Sequence, residues 1–85
     1  MNDELLRRVM AVKARHEASL LKKANVVGVG VGYREQDGRL TDEVVLVVNV
    51  SRKQPVSQLA PQDVIPPLIE GVPVDVRETG EIRAF

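Results

Sequence analysis

The chain contains no cysteine and no tryptophan, and its aromatic residues are two, Tyr33 and Phe85. Without a thiol there is no disulfide, no cysteine nucleophile and no cysteine-ligated zinc or iron–sulfur centre. With so few aromatics, the stacking platforms that single-stranded nucleic acid or sugars use are missing as well. An excess of one charge is also absent: twelve basic residues balance twelve acidic ones, so no net field draws the chain to phosphate backbones or anionic lipid. Nor is there a long apolar run at the start. Asp3, Glu4, Arg7, Arg8, Lys13, Arg15 and Glu17 interrupt the first twenty residues, where a secretory signal or membrane span needs unbroken hydrophobicity. The expectation is a cytoplasmic protein with neither nucleic acid nor membrane as partner.

What is present is an aliphatic globular composition, 44 % hydrophobic and 28 % charged over 85 residues. That is one domain, 1–85, and a chain of this length buries roughly 60–65 % of the surface it exposes when unfolded, so its core is thin. Leu5, Val9, Val12, His16 and Leu20 recur at spacings of three and four, with Leu6, Met10 and Leu21 widening the stripe. This pattern predicts a helix over 3–24. Asn2 or Asp3 can cap its start, and Lys22 and Lys23 suit its negative end. Asn25 either closes the helix in a left-handed conformation or opens the next strand.

From Val26 the period becomes two. Val27, Val29, Val31 and Tyr33 share one face of a strand at about 26–34, and Gly28, Gly30, Gly32 and Arg34 share the other. Asp37-Gly38 signals the turn of an antiparallel hairpin, whose second strand, about 43–51, carries Val44, Leu46, Val48 and Val50 on one side and Val45 and Val47 on the other. Residues 52–71 hold four prolines, Pro55, Pro61, Pro66 and Pro67, and read as a connector with at most short helical turns. A last strand, 72–78, contains Pro73, which points to a sheet edge. The fold expected is α+β: one long N-terminal helix on a small three-stranded, mostly antiparallel sheet, made of the hairpin and a third strand joined by the proline-rich connector. Val27, Val29, Val31, Leu46, Val48, Val74, Leu5, Val9 and Val12 are the expected core.

The alternating glycines invite a phosphate-loop reading that their setting rejects. A dinucleotide fingerprint needs glycines where a strand passes into a helix, and a Walker loop needs Gly-Lys-Ser/Thr after it; here G-x-G-x-G lies inside a valine alternation and runs into a hairpin turn. The structural reading is a strip bare of side chains that another backbone or a helix can approach closely. The functional one is a glycine-lined surface for a peptide or small ligand. His16 with Ser19 on one helix face suggests a base and nucleophile, but no G-x-S-x-G elbow or oxyanion hole accompanies them; a partly buried structural histidine is the plainer reading. One histidine with scattered carboxylates has no zinc or calcium spacing, so neither metal nor cofactor is expected. Asp42, Glu43, Asp63, Glu78 and Glu81 sit at turns and strand ends, where carboxylates are ordinarily solvated. The basic residues of the helix alternate with Glu4 and Glu17, as on a solvated face.

Three blocks, NVVGVGVGYRE, EVVLVVNVSRKQP and LAPQDVIPPLIEGVPVDVRETGEI, follow one another in order. Over about Lys23 to Arg83 the chain resembles the N-terminal domain found ahead of bacterial chymotrypsin-like (trypsin-like) serine peptidase domains, including relatives of the plant Narrow Leaf 1 protein. The resemblance implies a helix and valine-rich strands followed by a peptidase domain that carries the catalytic histidine, aspartate and serine. No position here matches those three, and G-D-S-G is absent. The function expected is therefore that of a non-catalytic accessory or assembly domain, self-associating into a homo-oligomer or docking on a peptidase module or other protein. Its interface residues would be Gly28, Gly30, Gly32, Val45 and Val47: one helix covers one sheet face, so Val45 and Val47 need cover on the other, from a companion or from the connector at 54–70. The competing expectation is a module that binds a peptide strand or small ligand at the glycine strip and sheet edge.

Overall fold

The computed structural model describes residues 3–79. Helix α1 spans Asp3–Leu21, with Asp3 and Glu4 in its first turn where the dipole favours acids. It ends three residues earlier than the periodicity predicts. The Lys23 amide tightens back onto the Leu20 carbonyl at 3.0 Å, and Asn25 takes a left-handed φ of 68°, turning the chain into the sheet. Asn2, the alternative cap, lies outside the described residues.

Strands β1 (Val26–Gln36) and β2 (Arg39–Val50) form the expected antiparallel hairpin. Asp37 and Gly38 both have positive φ, 52° and 77°, the signature of a two-residue type I′ turn, so both strands reach further into the polar tip than expected. Beyond it come two 3-10 turns, Val56–Gln58 and Pro61–Asp63, then β3 (Leu68–Ile69) and β4 (Val72–Glu78). The sheet has four strands in the order β1-β2-β4-β3, and it is mixed, not the mostly antiparallel three-stranded sheet expected. β4 runs parallel to β2, from Leu46↔Val74 to Val50↔Glu78, the proline-rich connector being long enough to make the crossover that parallel neighbours require. Pro73 therefore sits in an interior strand. Val74 turns its N–H to the Pro67 carbonyl at 2.9 Å, so the proline nitrogen points toward β2 just before that ladder begins, where no donor is needed.

β3 and β4 are joined by Glu70 and Gly71, with φ of 51° and 78°, a second type I′ hairpin closed by Ile69↔Val72. A Cβ on Gly71 would meet the Arg8 guanidinium at 3.0 Å. Gly71→Ala is expected to cost about 1–2 kcal/mol from the left-handed backbone, read as a lowered midpoint in urea unfolding.

The main core lies between α1 and one sheet face. Val9, Val12 and Leu20 of the helix meet Val44, Leu46, Val48 and Val50 of β2, with Ile69, Val72 and Val74, while Leu6, Val26, Val29, Val31, Tyr33, Ile65 and Val76 pack around them. Two expected core residues are exposed instead, Val27 and Leu5. A bulge between Val26 and Gly28 shifts the register, so Val26 enters the core and Val27 turns out. On the helix the stripe that meets the sheet runs through Leu6, Val9, Val12 and Leu20, leaving Leu5 at its margin. The apolar connector residue Ile65 extends this same core.

Candidate interaction surface

The second sheet face is built from three columns set by the ladder register. Gly28, Gly30 and Gly32 on β1 stand beside Asn49, Val47 and Val45 on β2, and Val47 and Asn49 stand beside Asp75 and Arg77 on β4. The sequence therefore does bring the five expected interface residues onto one face. It does not leave the valines open: Val45 is 0 % and Val47 6 % exposed in the single chain.

Their cover comes from an unexpected source. The connector packs on the helix side, where Lys23 donates to the Gln62 carbonyl and the Ala24 amide to Asp63. On the valine side, a second irregularity between Tyr33 and Glu35 bends the end of β1, and the Glu35 amide donates to Asp75 Oδ2 at 2.9 Å. The Arg77 guanidinium donates to the same carboxylate, at 3.1 Å, and to the Tyr33 carbonyl. Because β2 separates β1 from β4, these bonds carry Asp75 and Arg77 across the face that holds Val45 and Val47. The Arg77 stem supplies apolar cover and its head finds backbone and carboxylate acceptors. Both residues had read as outward-facing polar positions; the available signal was their opposite charge two positions apart on one side of a strand.

The three glycines are not equivalent. A Cβ on Gly32 would press on Val47 Cγ2 at 3.3 Å, one on Gly28 would make ordinary contact with Asn49, and one on Gly30 would meet nothing within 4 Å. The strip is thus closed at one end and open at its middle. It lies on β1, a terminal strand of the sheet, whose outer edge pairs with no strand among the described residues.

A separate cluster fastens α1 to the β3–β4 turn. Arg15 donates twice to the Glu70 carboxylate, at 2.9 and 2.8 Å, His16 Nε2 lies 2.7 Å from Glu70 Oε2, and Arg8 donates to the Glu70 carbonyl. The Ser19 hydroxyl donates to the His16 backbone carbonyl at 2.9 Å, so it engages the main chain and not the imidazole. The bonds from Arg15, and then that to His16, hold the Glu70 carboxyl down to about 2 from its ordinary 4.5, and the same contact raises the Arg15 guanidinium further. A depressed carboxyl stabilises the fold above its unfolded value, and that contribution disappears as pH falls from about 4.5 toward 2. Glu70→Gln is therefore expected to lower the melting temperature at pH 7 and to flatten its decline between those pH values. Thermal melts across that range, wild type beside variant, check it; parallel curves would refute the clamp.

The other carboxylates singled out in the sequence are partly engaged: Asp63 accepts from Ala24, Glu78 from the Lys53 amide and Glu43 from Arg34. Glu81 lies outside the described residues. Among the described residues no three His, Asp or Glu side chains come together as a metal site, and no helix is long and apolar enough to cross a membrane. A cleft of about 200 Å³ opens between the ends of β2 and β4 and the connector, walled by Val50, Val56, Leu59, Val64, Ile65 and Val76 with Arg52 and Lys53 at its mouth.

This α1–hairpin–crossover arrangement agrees with a family model. The NARROW LEAF 1 N-terminal domain model matches residues 2–79. The chain belongs to that family. A comparison with curated proteins returns no match. The family match includes the helix, which the resemblance read from the sequence had left out, and it ends at the last described residue of β4.

Proposed function

We propose that this Narrow Leaf 1-type domain is a non-catalytic accessory module of a bacterial, cytoplasmic protein. It acts through self-association or by docking on a protein partner such as a trypsin-like peptidase domain. The observation that supports this reading is the free edge of β1. The Val45–Val47 face, already covered by Asp75 and Arg77, gives no reason for a companion. The backbone N–H and C=O groups on the outer side of β1 do, since an unpaired apolar edge is a template for another chain.

Sedimentation of the 85-residue chain, alone and with a trypsin-like peptidase domain of a Narrow Leaf 1 relative, tests the proposal. Amide shifts followed in the same samples are expected to move from Gly28 to Tyr33. A strict monomer with no shifts in either sample would overturn it. A second reading, β-augmentation by an extended peptide, draws on the open space over Gly30. It predicts the same shifts on titration with short valine-rich peptides.

A further inference from the structure

We propose that the occupant of the β1 edge is a second copy of this chain, paired antiparallel about a two-fold axis at Gly30 to give one continuous eight-stranded sheet. This deepens the self-association arm of the proposed function and rests on it.

The length of usable edge comes from the irregularities. β1 is regular from Gly28 to Tyr33, between the bulge at Val26–Gly28 and the bend at Tyr33–Glu35. A dyad at Gly30 uses this stretch symmetrically: Gly28 faces Gly32 of the second copy, Val29 faces Val31, and Gly30 faces itself. Antiparallel pairing about a residue keeps every side chain on its own face, so the two helix-covered faces stay together, as an isologous contact requires.

The flanks agree with this placement. Arg8, Arg15 and His16 mark the side of α1 that overlies β3 and β4, through their bonds to Glu70. The opposite flank of the helix, toward β1, carries Met10 and Leu21, 54 % and 43 % exposed. These apolar side chains border the edge that a second copy would occupy.

Charge selects the direction. The end of the sheet where β1 begins holds Lys22, Lys23, Arg52 and Lys53 against Asp63 and Glu78, and the hairpin tip holds Glu35, Asp37, Asp42 and Glu43 against Arg34 and Arg39. The molecule is neutral overall but basic at one end of its edge and acidic at the other. An antiparallel partner sets unlike ends together, whereas a parallel one would set like against like.

The absence of cysteine makes the register directly testable in the full chain. Gly30→Cys adds a side chain into open space, and Gly28→Cys makes only ordinary contact, so both variants should fold, as circular dichroism would verify. In the proposed dimer the two copies of position 30 are cross-strand neighbours with Cβ atoms about 5 Å apart, while two copies of position 28 are about 13 Å apart along the strands. Mild oxidation is expected to cross-link the Gly30→Cys protein and to leave Gly28→Cys monomeric on a denaturing gel. Light scattering at high micromolar protein is expected to give twice the monomer mass. Gly30→Lys, which sets two ammonium groups face to face, is expected to raise the dissociation constant about tenfold or more.

Equal cross-linking at both positions, or none at position 30, overturns the pairing. So does a dimer indifferent to Gly30→Lys, which would place self-association on another surface and leave the broader reading standing. A monomer at every concentration overturns the inference and leaves docking on a different protein to the sedimentation test above.

Discussion

Leu46→Ala is expected to destabilise the domain by about 2–5 kcal/mol, the largest effect of any single substitution considered. Leu46 is fully buried, at the centre of the strand that every other layer touches. It pairs with Val31 on one side and Val74 on the other, and it belongs to the cluster that receives Val9, Val12 and Leu20 from the helix. Truncation removes apolar burial and leaves a cavity that a β-sheet, held by its ladders, can collapse only in part. A domain of this size commonly holds only about 5–15 kcal/mol in total, so the variant should show a large drop in urea midpoint with an unchanged slope. Leu40→Ala, on the same strand but exposed near the hairpin tip, should move the midpoint little. Equal effects at the two positions would contradict the placement of the core.

The contrast between Leu46 and Leu40 was legible in the sequence, because the alternation EVVLVVNV and the Asp37-Gly38 turn fix which residues face the helix once the hairpin closes. Other features were not. Period-two patterning says which face a residue takes but nothing about strand direction, so the parallel pairing of β4 with β2 had to come from the structure. Pro73 looked like an edge residue because the rule concerns a missing donor, and only the register reveals that no donor is required there. β3 is two residues long and follows Pro66 and Pro67, too short for any periodicity. Val27 was misplaced by a bulge that leaves no mark on a run of valines and glycines. Glu70 was unremarked because its importance arises from three helix residues more than fifty positions away. The expected interface fared similarly: the five residues do share a face, but its valines are sealed by a pair of charged side chains that local reasoning assigns to solvent.

That seal leads to the second large effect. Asp75 and Arg77 retain 14 % and 25 % side-chain exposure, well below the other ion pairs of the sheet and helix. Asp75→Ala leaves the Glu35 N–H and the Arg77 guanidinium without their acceptor, and unsatisfied, largely covered donors cost about 1–3 kcal/mol, against about 1 kcal/mol or less for an exposed pair. Arg77→Ala removes the donor to the Tyr33 carbonyl together with the stem that overlies the valines. If the two act as one cover, removing the second after the first should cost little more. A double-mutant cycle would then show a coupling of about 0.5–3 kcal/mol. The loss of cover should also uncover Val45 and Val47, so either variant is expected to bind a hydrophobic dye that the parent ignores, and to raise non-specific association at high concentration. Single substitutions that each stay within about 0.5 kcal/mol of the parent, the ordinary range for surface positions, with no gain in dye binding, would mean that β2's second face is protected by strand curvature alone.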